Sequence, residues 1–295
     1  MKILLTAPPG LGKSTVIDRV VTKFAGSKKG IVAREILDDK GIRTGFTSVN
    51  QTGASRQFMF ATDTPNESSI GGLFDVDVAA IDDFVVAELR EGLALAVSRE
   101  SSRSTGPAPS AIAGTLIYID EIGRAQVRSA RFLAMLREIF DSHCNVLGSI
   151  VYDDEPWSLE FKRGSSVCLV EITQKNRDAM PDILLAAFNH QDEFSLLSVS
   201  QQEVIYALFG KLLREEKFIS ARKLFDNALG YVTGGKVNQT SPGQFTVSGL
   251  TRHHKIARDS SGKFSCDCDL ANGLGLFEGA PAVCSHEMSI KILES

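Results

Sequence analysis

Ala7-Pro8-Pro9-Gly10-Leu11-Gly12-Lys13-Ser14 follows directly on the apolar run Ile3-Leu4-Leu5, and its reading decides the fold. The octet fits the phosphate-loop pattern at every fixed position except the first, where Ala7 stands for glycine. Upstream, residues 2–6 read as a short buried strand. Downstream, Val16, Ile17, Val20, Val21 and Phe24 recur at helical spacing, and Gly26 supplies a stop. Strand, turn and helix are the context that phosphate chemistry needs. Backbone N–H groups around Gly10, Leu11, Gly12, Lys13 and Ser14 are expected to cradle the phosphates at the positive end of the helix, with Pro9 and Thr15 flanking them in the expected binding loop. Lys13 is expected to bridge phosphate oxygens, and the Ser14 hydroxyl to ligate Mg²⁺.

A second apolar run, Leu116-Ile-Tyr-Ile119, delivers Asp120 and Glu121 to the C-terminal end of a strand, where doubly wound sheets place their ligands. Asp120 is expected to hold the Mg²⁺ shell, and Glu121 to orient a water for attack on the terminal phosphate. Further strands are expected at 145–151 and 166–172, with helices over 76–97, 129–140 and 180–188. This alternation over residues 1–190 argues a mostly parallel α/β sheet covered by helices on both faces. Residues 99–113, rich in Ser and Pro, read as a surface loop. Ser200-Gln-Gln-Glu203 reads as a capping box that starts a helical connector, and short β-like stretches follow at 244–247, 254–258 and 263–266. The expected division is a phosphate-loop domain over 1–195, a connector over 196–234 and a small helical/β module over 235–295.

At this point the sequence resembles a known family. Gly30-Ile-Val-Ala-Arg-Glu35 with Arg43-Thr-Gly-Phe46, Asp120-Glu-Ile-Gly123 with Ser129 and Phe132, Val146–Ile150 and Asn176-Arg177-Asp178 are similar to blocks of the cancer-related nucleoside-triphosphatases. The resemblance implies a P-loop enzyme that hydrolyses ATP, GTP and other nucleoside triphosphates with Mg²⁺. It departs at Ile31 and Val32, where the family has aromatics, at Ala33 for Thr, and at Ala125-Gln126 for Met-Glu. Taken alone, Arg34, Arg43 and Arg177 are ordinary ion-pairing arginines. The resemblance makes Arg177, with Arg43, a candidate contact to nucleotide or transition state, and Arg177 joins Lys13 and Glu121 as a catalytic candidate.

Cys266-Asp-Cys268 and Cys284-Ser-His286 are two ligand pairs, each at i, i+2 spacing. Three thiolates and one imidazole suit tetrahedral Zn²⁺, and Gly273, Gly275 and Gly279 let the intervening loop return. The pattern resembles the SWIM-type zinc finger, which implies docking of a nucleic acid or a protein. The cluster Arg252, His253, His254, Lys255 and Arg258 is a candidate phosphate-contacting face, its bland alternative being a solvated ribbon. Cys144 and Cys168 read as inert core thiols, and His143, His190, His253 and His254 as surface or loop residues.

Composition bounds the rest. The 295 residues are 43% hydrophobic, and 32 basic against 36 acidic side chains give a formal charge of −4. A disordered chain and a basic nucleic-acid coat are both excluded. No apolar run approaches the ~18 residues of a membrane span, and five cysteines are poor material for a disulfide framework. The expected location is the cytoplasm. Beside the hydrolase reading stand a nucleotide-switched binding module with slow hydrolysis and, ranked lower, a nucleotide kinase.

Overall fold

A computed structural model describes residues 1–66, 69–103, 114–164, 166–249, 252–268 and 283–295. The chain divides into two compact units, Met1–Thr173 and Gln174–Ser295. This division falls about twenty residues before the expected boundary at 195. The helix that follows the last strand of the first unit packs with C-terminal helices, so it belongs to the second unit.

The first unit runs β1 (Lys2–Thr6), α1 (Lys13–Lys23), β2 (Lys28–Leu37), β3 (Arg43–Asn50), β4 (Ser55–Ala61) and β5 (Phe74–Val76). α2 (Val78–Ala80), a π-helical turn (Ile81–Val85) and α3 (Val86–Arg103) then run on end to end. β6 (Leu116–Ile122), α4 (Ala130–Asp141), β7 (Asn145–Ile150), α5 (Pro156–Lys162) and β8 (Val167–Glu171) complete it. The sheet order is β5-β4-β3-β2-β6-β7-β1-β8. The five strands β2-β6-β7-β1-β8 are parallel, and β3, β4 and β5 extend one edge antiparallel. The mostly parallel α/β sheet expected from sequence is present. Residues 104–113, the greater part of the Ser/Pro stretch, lie outside the described residues.

Burial explains why the central strands read as unbroken apolar runs. Leu116 to Asp120 and all of β7 are buried, because helices cover both faces of a parallel sheet. β4, next to the edge strand β5, buries only Phe58 and Met59. Under α3 and α4, Ile31, Ile81, Leu89, Ile117, Ile119, Phe132, Leu136 and Ile139 form one continuous core. Ser129 caps α4 by accepting the Phe132 N–H at 2.9 Å.

The second unit begins with α6 (Met180–Asn189), α7 (Gln191–Ser195), α8 (Val199–Arg214), α9 (Phe218–Lys223), a π-helical turn (Leu224–Leu229) and α10 (Gly230–Thr233). The capping box of α8 is Ser198 with Gln201, two residues before the expected Ser200 and Glu203. Ser198-x-x-Gln201 and Ser200-x-x-Glu203 both fit the pattern, and Ser198 has the extended backbone a cap needs. A four-stranded antiparallel sheet follows, β9 (Val237–Ser241), β10 (Gln244–Ser248), β11 (His253–Arg258) and β12 (Phe264–Cys266), with α11 (Ser285–Leu293) after it. Phe245, Val247, Ile256 and Ile290 make its core. Among the described residues, no helix is long and apolar enough to cross a membrane.

Candidate functional site

The loop between β1 and α1 is built on two left-handed residues. Gly10 (φ 80°) and Gly12 (φ 95°) sit where a side chain would be strained, and Gly12 caps the start of α1. The first helical bond runs from the Val16 N–H to the Gly12 carbonyl at 3.0 Å. The N–H groups ahead of it therefore lack intrahelical acceptors, as at every helix start. Lys13 Nζ donates to the Ala7 carbonyl at 2.9 Å. Burial lowers the Lys13 pKa, and the facing Glu121 and Asp120 carboxylates partly restore it.

At the end of β6, the strand breaks register. Ile119 pairs with Gly148 and Ile122 with Ile150, so Asp120 and Glu121 together oppose the single residue Ser149. This is a β-bulge, and Glu121 occupies it with φ 79°, a left-handed value rare for a side-chain-bearing residue. In a regular strand the two carboxylates would point to opposite faces. Ser149 pins the bulge: its Oγ accepts the Glu121 N–H at 2.8 Å and donates to Asp120 Oδ1 at 3.1 Å. Glu121 is an exposed residue, yet its carboxyl is pushed up to about 6 by desolvation first and the Asp120 charge second. Lys13 and Arg43 pull it back.

Asp120 is only 2% exposed, and burial raises its pKa against hydrogen bonds from Ser14 and Ser149 and the charge of Arg34. Its Oδ2 is buried without a hydrogen-bond partner among the described residues. A buried carboxylate oxygen without a hydrogen bond, beside a serine hydroxyl, is a hard-oxygen donor set, which fits Mg²⁺. Ser14 and Asp120 thus stand side by side.

Other residues around the site were less visible. Arg34 Nη2 donates to both oxygens of Asp18, at 2.9 and 2.8 Å, and Arg34 Nη1 lies 4.0 Å from Asp120 Oδ2. Gln126 is buried, with Oε1 unpartnered among the described residues. A Cβ on Gly123 would lie 3.0 Å from both Gln126 Oε1 and Glu121 Cγ. Arg43 pairs with Glu35 and stands 5.1 Å over the Phe46 ring. Arg177 lies in the second unit, ahead of α6, with Nε 3.9 Å from Asp178 Oδ1.

Residues 2–185 match the family described as NTPase. The chain belongs to that family. Two curated relatives make the likeness concrete. "Nucleoside-triphosphatase THEP1" of Aquifex aeolicus is 26% identical over 63% of this chain and 98% of its own length. The human "Cancer-related nucleoside-triphosphatase" is 29% identical over 62% of this chain and 94% of its own. The crystal structure of THEP1 from Aquifex aeolicus superposes with a TM-score of 0.53 at 26% identity, covering 64% of this chain and 99% of that one. The phosphate-loop unit of this NTPase-family chain therefore has the P-loop α/β fold of its relatives, and the last hundred or so residues lie beyond them.

Those residues carry a second site. Cys266, Cys268, Cys284 and His286 bring one ligand atom each to within 4.8 Å of the others. Cys266 shares the inward register of Ile256 on β11, and Cys284 is the N-cap of α11. The Cys284 thiol is held low by hydrogen bonds from Cys266 and His286 and by the Glu287 N–H at 3.4 Å, and Cys266 is raised in step. The loop over 269–282 with its glycines lies outside the described residues. His254, expected on the surface, instead stacks on His286 with ring centroids 4.1 Å apart, and its Nδ1 meets Asp267 Oδ1 at 3.1 Å. Cys144 and Cys168 are buried, as read from sequence.

The basic cluster of this NTPase-family chain does not share one face. Arg258 pairs with Glu294 at 2.6 Å and lies over the Phe245 and Phe264 rings. Arg252 donates to the Asp267 carbonyl at 3.2 Å, and His254 is turned inward on His286. Only His253 and Lys255 alternate outward on β11, beside Ser248 and Thr246.

Proposed function

We propose that this chain hydrolyses nucleoside triphosphates, ATP and GTP among a broad set, to diphosphate and phosphate with Mg²⁺. Lys13 and the backbone N–H groups from Gly10 to Thr15, in the loop that Pro9 opens, bind the phosphates and stabilise charge on the transferring group. Ser14 and Asp120 hold Mg²⁺, which neutralises charge developing between the phosphates. Glu121 orients the attacking water, and Arg177 is a further candidate on the transferring phosphoryl. The observation that carries this reading is the Ser149-pinned bulge, which turns Glu121 off the strand's alternation while Asp120 stays beside Ser14. Hydrolysis is favoured over a slow switch or a kinase because two adjacent carboxylates supply both a metal holder and a water-orienting base. Phosphate release measured across ATP, GTP, CTP and UTP, with wild type and Glu121→Gln, tests it. Equal turnover by the two proteins overturns the assignment of Glu121.

The same reading gives the second unit a structural Zn²⁺ on Cys266, Cys268, Cys284 and His286, in a SWIM-type finger that docks a partner. The donor set and its closure around one point support it. Dispersal of the basic cluster favours a protein over a nucleic acid as that partner. A titration of the full chain with DNA and RNA at two salt concentrations tests this, and binding that falls steeply with salt restores nucleic acid.

A further inference from the structure

The fixed cation beside the phosphate site has no role in the reading above. Arg34 stands on β2, which runs parallel to β6 and extends past it: Ile31 is level with Ile119, so Arg34 reaches the end of β6, where Asp120 stands. Asp18 is four residues after Ser14 on α1 and shares its helix face. It grips Arg34 Nη2 with both carboxylate oxygens, at 2.8 and 2.9 Å. That grip stops the guanidinium short of Asp120. Nη1 remains 4.0 Å from Oδ2, beyond a hydrogen bond but well within Coulomb range, and Oδ2 has no hydrogen bond among the described residues. An arginine free to choose would close on the buried carboxylate with a bidentate pair. Here the geometry places a positive charge next to the metal-holding oxygen without letting it occupy that oxygen.

We propose that Arg34, tethered by Asp18, is a positioning residue that makes metal binding depend on the nucleotide. Its charge repels a bare divalent cation from Asp120, whereas a cation carried by a triphosphate arrives with its charge already offset. Asp120 is kept accessible, and the nucleotide-free protein does not fill its phosphate site with free Mg²⁺. This inference rests on Asp120 being the metal holder.

The test is electron paramagnetic resonance of Mn²⁺ titrated into the full chain, with and without a non-hydrolysable triphosphate. Without nucleotide, Arg34→Gln tightens Mn²⁺ binding by about tenfold or more, since a unit charge next to a dication has been removed. With nucleotide bound, the same substitution changes Mn²⁺ affinity much less. Asp18→Asn acts in the opposite direction, because the freed guanidinium closes on Asp120 and competes with the metal in both states. A merely structural role would move both variants the same way, and that result, or an Arg34→Gln protein that binds free Mn²⁺ no better than wild type, overturns the proposal. Asp120→Asn separates the two claims. If it lowers Mn²⁺ affinity in the triphosphate-bound protein while Arg34→Gln has no effect, only the role of Arg34 fails. If it changes nothing, the metal holder is misassigned and the inference falls with it.

Discussion

Ser149 holds Glu121 by its backbone: the Ser149 hydroxyl accepts the Glu121 N–H at 2.8 Å, and through the same oxygen it donates to Asp120 at 3.1 Å. One buried hydroxyl therefore fixes both carboxylates, and the left-handed Glu121 backbone persists because this contact over-determines it. Ser149→Ala leaves a partly buried N–H without its acceptor, a loss of about 1–3 kcal/mol. A lower melting temperature is expected, together with a fall in kcat of about tenfold or more as the carboxylate pair loses register. Steady-state kinetics separate this from a binding defect, since Ser149 lies off the phosphate loop. An unchanged kcat would remove Ser149 from the positioning of Glu121.

Glu121→Gln keeps the size of the side chain and removes its charge. Nucleotide affinity is expected to hold, while turnover falls by about 10²–10⁴, the range typical of a lost general base or water-orienting group. Lys13→Ala should instead damage affinity and turnover together, because the proposed role of Lys13 is to contact the phosphates in the ground state as well. Equilibrium binding of a fluorescent triphosphate and single-turnover phosphate release, run on both variants, distinguish the two patterns.

Gly123 is a sharper probe of the space around Glu121. Its Cβ would fall 3.0 Å from Glu121 Cγ and 3.0 Å from Gln126 Oε1, so in Gly123→Ala these neighbours must give by a few tenths of an ångström. Binding is expected to survive and kcat to drop by about tenfold, in line with the sensitivity of catalysis to small misplacements. If kcat holds while the melting temperature falls, the displaced group is Gln126 and Glu121 has kept its position.

How much of this was legible in the sequence depends on the range of the signal. β1, the loop and α1 were readable because periodicity and glycine chemistry act within about twenty residues. Asp120 and Glu121 were readable as a pair at a strand end. The bulge that aims them was not, since a period-two reading cannot reveal two residues opposing one across a strand 28 positions away. Arg34 and Asp18, 16 residues apart, become partners only once β2 lies beside β6. The cap of α8 slipped by two because Ser198 and Ser200 each begin a valid box. β9 was missed because, of Val237–Ser241, only Val237 is even partly buried, leaving no alternation to detect.

The last prediction concerns the second unit, whose four ligand atoms lie within 4.8 Å of one another. Each comes from a different structural constraint: Cys266 from the end of β12, Cys268 from the turn after it, Cys284 from the N-cap of α11 and His286 from its first turn. The cysteines cluster with the Cys284 thiol held low, so a metal arriving there meets a thiolate already formed. Among the described residues the buried core of the small sheet is Phe245, Val247, Ile256 and Ile290, small enough that a metal staple is expected to matter. Purified under reducing conditions, the full chain is therefore expected to carry about one zinc, held by four protein ligands as in closed structural sites. Apparent binding energies of about 10–16 kcal/mol are usual for such sites near neutral pH, so a bound zinc is expected to dominate the stability of the module. Cys268→Ser should lose the zinc and melt β10 to β12 and α11, seen as lost amide protection in that segment. Phosphate release by the phosphate-loop unit should persist, since its core does not draw on these residues. Elemental analysis showing no zinc in the wild-type chain, or retained protection of β11 in Cys268→Ser, would refute the metal's structural role.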